Sequence, residues 1–176
     1  MKRVVQWALF AGLLLAPVAA SAGRHDPLTS DEIDQLREAA LEPEKRLKLL
    51  ADFARLRFTA IESARTPAPK KPNAESPRSL HDLMEDFLDV YDELDENISM
   101  YDDRQADLRK AMKIVLQADG EFHARLEGLQ HNLTAEERKD CDFVLNSIVE
   151  AVTTGTTEHK KMQAEQEVSA KNKKRK

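Results

Sequence analysis

The chain has 176 residues and carries 32 acidic against 27 basic side chains, a formal net charge of -5. This acidic balance argues against a general nucleic-acid binder, because such proteins neutralise phosphates with an excess of Lys and Arg. Aromatic residues make up 5% and charged residues 34% of the chain, which favours a long helical assembly over a thick globular core.

Residues 1–22 have the pattern of a secretory signal peptide. Lys2 and Arg3 precede an apolar run from Val4 to Val18, and Ala20-Ser21-Ala22 is a small-x-small cleavage pattern. The 15 residues of this run are fewer than the roughly 20 needed to span a bilayer. We therefore predict an exported protein, periplasmic or extracellular, with no stable membrane insertion after cleavage.

The N-terminal part of the mature chain predicts two helices. Thr29 and Glu32 have the spacing of a capping box, so a short helix is expected to about Leu41. Pro43 then suits the first turn of a second helix, predicted to end near Ala64. Residues 65–78 contain four prolines and form the predicted linker, because such a segment prefers extended backbone.

The longest pattern is a seam of apolar residues spaced alternately four and three apart, as in a coiled coil. No proline interrupts it, and we predict one central helix over about 79–132, with a bend or change of partner first expected at the polar seam residue Gln105. The seam residues are Leu80, Met84, Phe87, Tyr91, Leu94, Ile98, Tyr101, Gln105, Leu108, Met112, Val115, Asp119, Phe122, Leu126, Leu129 and Leu133.

The C-terminal part predicts one more helix and a tail. Thr134 and Glu137 repeat the capping-box spacing, and a second seam follows through Cys141, Leu145, Ile148 and Val152. Cys141 lacks an internal disulfide partner, so its place on the seam predicts burial, with intermolecular pairing as the alternative. We expect a single helical domain over 23–160 and a disordered basic tail over 161–176.

Charge suggests which helices are neighbours. Ten acids against one base lie between Glu85 and Asp107, and eight bases against three acids lie between Glu44 and Lys71. An antiparallel turn through the linker would pair these two blocks. The predicted fold is thus all-α, an elongated hairpin or bundle on one central helix, with the N-terminal and C-terminal helices antiparallel to it. A four-helix bundle is the alternative if that helix breaks.

A metal site is the sharpest chemical hypothesis. His123, Glu127 and His131 follow Asp119 in steps of four residues on one helix face, and imidazole with carboxylate can share a divalent ion. His159 or Glu158 of the last helix is expected to join this set. The more common interpretation of such spacing is a solvated helix surface, and no other cofactor is predicted.

The sequence lacks the nucleophile, P-loop and dinucleotide motifs of common enzymes, so we predict a non-enzymatic protein. Leu28-Thr29-Ser30-Asp31-Glu32 and Leu133-Thr134-Ala135-Glu136-Glu137 resemble the paired Leu-Thr-x-x-Gln boxes of periplasmic helical chaperones of the Spy and CpxP type, with Glu at the fifth position. The predicted function is binding a protein partner or a second copy of the chain through its helices. Envelope metal binding is the alternative, and a holdase chaperone is a further alternative.

Overall fold

The computed structural model describes residues 26–66 and 78–173, which form five α-helices and no strand. α1 spans Ser30–Glu38, α2 Pro43–Ala64, α3 Leu80–Asp103, α4 Arg109–Asn132 and α5 Ala135–Lys173. The all-helical class predicted from the sequence is confirmed. The predicted signal peptide and most of the proline-rich linker lie outside the described residues. None of the described helices has both the length and the apolar content that crossing a bilayer requires.

Three helices begin at side-chain caps, two of them at the capping boxes predicted from the sequence. In each, a hydroxyl accepts from a backbone N–H three residues on, and a carboxylate there accepts from the backbone N–H of the cap, so two donors without helical partners are satisfied. The second helix begins at Pro43, as predicted. The reciprocal pairs are Thr29 with Glu32 at α1, Ser79 with Asp82 at α3, and Thr134 with Glu137 at α5.

The continuous central helix predicted over residues 79–132 is wrong, because the chain reverses between α3 and α4. Gln105 has a φ of 56°, in the left-handed region. Its N–H donates to the carbonyl of Asp102, and the N–H of Ala106 donates to that of Tyr101. These two bonds are the Schellman pattern that closes many helix C-termini, usually with Gly at the left-handed position. The four-helix-bundle alternative is the observed architecture.

The bundle consists of α2 to α5, and α1 packs on α2. α2 and α5 each lie beside both α3 and α4, so α3 and α4 oppose each other across the core. α2 is antiparallel to α3 and parallel to α4, whereas α5 is parallel to α3 and antiparallel to α4. Two contacts set the direction for each pair of helices. They are Arg46–Asn97 and Phe58–Phe87 for α2 and α3, Glu44–Lys110 and Arg55–Glu121 for α2 and α4, Asp95–His159 and Asp102–Gln166 for α3 and α5, and Leu108–Gln166 and Asp119–His159 for α4 and α5.

The predicted seam forms the core even though the helix that carries it breaks. All its members except Leu80 and Gln105 are buried. At the centre the Phe87 ring meets those of Phe58 and Phe122 edge-on, with centroids 5.1 Å apart in both pairs. Burying each such ring contributes about 1.5 to 3 kcal/mol. The seam stays in phase across the turn because α3 and α4 present it to the same core from opposite sides.

The final helix differs from the prediction at its end, since α5 stays helical to Lys173 instead of giving way to a disordered tail from residue 161. One side chain, Gln166, holds this part of α5 against the turn between α3 and α4. Its bonds run from Nε2 to Asp102 Oδ1 at 3.1 Å and to the Ala106 carbonyl at 3.3 Å, and from the Leu108 N–H to Oε1 at 3.4 Å.

Candidate functional site

The main polar feature of the core is an ion-pair cluster where α3, α4 and α5 meet. The His159 side chain is 3% exposed and that of Asp119 is fully buried, with Nδ1 of His159 2.8 Å from Oδ2 of Asp119. On the other side of the ring, Nε2 lies 3.0 Å from Oδ1 of Asp95, which makes a second ion-pair contact with the imidazole. The Tyr91 hydroxyl donates to Asp119 Oδ1 at 2.9 Å. We call these four residues the buried cluster.

The two carboxylates hold His159 in its charged form. Burial alone would lower the pKa of the imidazole, because the cation loses solvation, but the interactions with Asp119 and Asp95 outweigh that cost and raise the pKa to about 9. His159 is therefore an imidazolium at neutral pH. Burial and the charge of Asp119 also raise the pKa of Tyr91, so its phenol remains a neutral donor.

This arrangement suits cross-linking of helices rather than catalysis. An imidazolium carries a proton on both nitrogens and has no lone pair for a metal or for a substrate proton. Gly155 lets α5 approach closely, since a Cβ there would lie 2.6 Å from the Tyr91 hydroxyl oxygen and 3.0 Å from Asp95 Oδ2. The cluster thus fills its space with its own side chains and joins three helices.

The predicted metal ligands His123, Glu127 and His131 are not brought together. Among the described residues, their ligand atoms do not lie within 4.8 Å of one another. The Nε2 atom of His123 lies 3.2 Å from the Thr156 hydroxyl on α5, whereas Glu127 and His131 are exposed on α4. A step of four residues aligns side chains along a helix, but it does not make three of them converge on one point.

The further ligands expected from the last helix have different positions. His159 does meet Asp119, but as the charged partner in the buried cluster, and Glu158 is exposed. The signal for His159 was present in the sequence, because continuing the second seam past Val152 in steps of three and four gives Gly155, His159, Met162 and Gln166.

The outward side of α3 carries a line of exposed acids. Glu85, Asp92, Glu96 and Asp103 are spaced seven, four and seven residues apart. This spacing places them within about 40° of one another on a helix of 3.6 residues per turn. Partial burial and the negative charge of neighbours, Asp95 first among them, raise the pKa of Asp92. We call these four residues the acidic face.

The bases of α2 do little to neutralise this side of α3, contrary to the predicted charge pairing, although the two helices are neighbours as predicted. Within the described ranges, the ion pair between them joins Arg46 to Glu93 at 3.7 Å. The other two arginines of α2 pair with other helices, Arg55 with Glu121 of α4 and Arg57 with Glu32 of α1, and Arg65, directly after α2, pairs with Glu137 of α5.

Large apolar side chains are exposed at scattered positions. They are Leu41, Leu56, Phe143 and Val168, of which Phe143 is 85% exposed. Phe143 and Val168 lie at the two ends of α5, about 37 Å apart at 1.5 Å per residue. Single exposed apolar residues are normal on soluble proteins, so these four side chains carry no functional argument by themselves.

No protein-family model, no curated protein and no solved structure matches the chain.

Proposed function

We propose that this chain is an exported, non-enzymatic helical protein that acts by binding a cationic protein partner along the acidic face of α3. The acidic face supports this proposal because Asp92 and Glu96, four residues apart on the helix, repel each other at a cost of a few tenths of a kcal/mol, and Glu85 and Asp103 extend the negative potential along α3. A partner with bases at matching spacing would convert this repulsion into attraction and would gain both orientation and association rate.

The length of the acidic face defines the kind of partner. From Glu85 to Asp103 it extends about 27 Å along α3 at 1.5 Å per residue. A basic helix of about five turns matches this length, and bases repeated every seven residues would remain on its contacting side. Arg104, next to the last acid, would limit the partner at that end.

Export rests on the signal-peptide pattern of residues 1–22, and the cysteine is compatible with it. Cys141 is 1% exposed, and burial raises the pKa of its thiol. A thiol that stays protonated and covered reacts slowly in an oxidising compartment. Secretion is tested by expressing the full chain and sequencing the N-terminus of the exported product, which is expected to begin at Gly23.

Binding is tested with two synthetic amphipathic helices that differ only in having Lys or Glu at every heptad polar position. Fluorescence anisotropy is expected to show salt-sensitive binding of the Lys peptide to the mature chain and none of the Glu peptide. Replacing three acids (Asp92→Asn, Glu96→Gln, Asp103→Asn) is expected to weaken binding about tenfold, at roughly 0.5 kcal/mol for each exposed pair lost.

A matched triple variant distinguishes a specific surface from net charge. Asp140→Asn, Asp142→Asn and Glu150→Gln remove three exposed acids from α5 and are expected to leave affinity within about twofold of the wild type. Equal losses in the two triple variants, or no binding of the Lys peptide at all, would overturn the proposal. Light scattering after size-exclusion chromatography identifies the case in which the partner is a second copy of the chain.

A further inference from the structure

We propose that His81, Asp82 and Glu85, in the first turns of α3, form a binding site for a divalent transition-metal ion such as Zn²⁺. The site shares Glu85 with the acidic face, but His81 and Asp82 lie outside that face, so zinc binding and binding of the cationic partner are tested separately. This site differs from the ligand set predicted on α4 from residue spacing, because it is based on the positions of the ligand atoms in the structure.

The three side chains converge on one point of the helix surface. His81 precedes Glu85 by four residues and Asp82 precedes it by three, and both spacings bring side chains together on a helix. One ligand atom from each side chain lies within 4.8 Å of the other two. Within the described ranges, this is the set of three His, Cys, Asp or Glu side chains whose ligand atoms come this close together. Nδ1 of His81 is 3.8 Å from a carboxylate oxygen of Glu85, so small rotations would bring all three to coordination distance.

The donor set suits Zn²⁺ and similar ions. One imidazole nitrogen with two carboxylate oxygens is a borderline combination that zinc, copper and nickel accept. Asp82 is held in place by the reciprocal bonds with Ser79, and its exposed position leaves room for water as the remaining ligand.

Two positive charges near the site oppose a cation, and both are offset. The N-terminus of α3 carries a partial positive charge of about half a unit, whereas the two carboxylates supply two negative charges. The guanidinium of Arg78 is paired with Asp86 through two hydrogen bonds, which reduces its field at the site. The exposed acids farther along α3 add negative potential that favours a cation.

Calorimetric titration of the mature chain with zinc chloride tests the site. We expect one zinc ion per chain in the micromolar range, and His81→Ala is expected to weaken binding by about tenfold or more, equivalent to the loss of one good ligand. His131→Ala removes an exposed histidine from α4 and serves as the matched control, with unchanged affinity expected. Glu85→Gln removes the charge of a second ligand while keeping the side-chain volume, and it is also expected to weaken zinc binding.

Each alternative outcome overturns the proposal. Absence of zinc binding by the wild type excludes the site, and a loss with His131→Ala but not with His81→Ala assigns the metal to α4. Imidazole nitrogen NMR adds a direct readout, because zinc is expected to shift the His81 resonances and to leave those of His159 unchanged. Far-UV circular dichroism of His81→Ala checks that helix content is preserved, so that a loss of binding reports on the ligand.

Discussion

The two sides of the bundle use charge in opposite ways. Between α2 and α4, Arg55 pairs with Glu121 at 2.5 Å and Arg125 with Glu62 at 2.7 Å, all at positions where side chains remain partly exposed. Between α3 and α5, the charged contact is that of His159, which is buried and surrounded by helices. The first side keeps its charges in contact with water, whereas the second removes those of His159 and Asp119 from it and leaves Asp95 partly exposed.

This difference determines what each set of charges can contribute. Exposed pairs are worth about 0 to 1 kcal/mol, since water screens them and ordering long side chains costs entropy. A buried pair pays for desolvation and adds little net stability, but removing one partner leaves an unpaired charge in the core and costs about 3 to 5 kcal/mol. The α2–α4 pairs therefore adjust alignment, whereas the buried cluster permits only one arrangement of α3, α4 and α5.

The largest expected difference in stability is between variants of two acids on the same helix, Asp119 and Glu121. Asp119→Ala leaves His159 and Tyr91 without their shared acceptor, and we expect a loss of about 3 to 5 kcal/mol in the free energy of unfolding. Glu121→Ala removes the exposed partner of Arg55 and is expected to cost less than about 1 kcal/mol. Urea denaturation followed by circular dichroism measures both.

Similar losses in the two variants would show that burial does not separate the two sides. Asp119→Asn is the conservative companion, because it keeps the volume and one acceptor oxygen but removes the charge. Its loss is expected to fall between those of Asp119→Ala and the wild type. A full recovery with Asn would mean that hydrogen bonding, rather than charge, holds the cluster.

Alkaline pH gives the next test, since the pKa of His159 rises from its ordinary 6.5 to about 9 on folding. A group whose folded pKa is raised stabilises fully below the unfolded value and loses that contribution as pH rises through the folded one. We expect roughly 3 kcal/mol to be lost between about pH 6.5 and 9.5, at 1.36 kcal/mol per unit.

His159→Gln provides the control for that measurement. Other groups titrate in the same range, including the Cys141 thiol, whose pKa burial raises. Those groups are common to both proteins, so the difference between their pH dependences isolates the imidazole. If the two proteins lose stability in parallel as pH rises, His159 is not held as a cation in the fold.

The sequence predicted the core well because burial follows helical spacing whether or not the helix is continuous. The polar members of the seam, Gln105 and Asp119, also mark the two places where the structure departs from a simple coiled coil. Gln105 lies in the turn, and Asp119 lies in the buried cluster. A polar residue on an otherwise apolar seam was therefore the most informative signal in the chain.

The sequence indicated the place of the turn, but the full reversal of the chain there and the actual charge pairing could not be predicted, for separate physical reasons. The left-handed residue at a helix end is usually Gly or Asn, which makes it visible in a sequence. Here Gln105 adopts that conformation, and Gln166 of α5 is hydrogen-bonded to the turn from the other side. Counting charges by segment also ignores which way each side chain points. Only the three-dimensional arrangement shows Arg57 and Arg65 facing away from α3.

The smallest predicted effect compares glycines on two of the three helices that carry the buried cluster. A Cβ at Gly155 would lie 2.6 Å from the Tyr91 hydroxyl, so Gly155→Ala is expected to cost about 1 to 3 kcal/mol as helices α3 and α5 separate. Gly128 of α4 has open space around it, and Gly128→Ala is expected to stabilise by about 0.5 to 1 kcal/mol through helix propensity. If the close approach of α5 to Tyr91 matters, thermal unfolding is expected to show a lower melting temperature for Gly155→Ala and a higher one for Gly128→Ala. Stabilisation by both would show that α5 does not need the glycine to reach the cluster, and the α3–α5 side would then be no more constrained than the α2–α4 side.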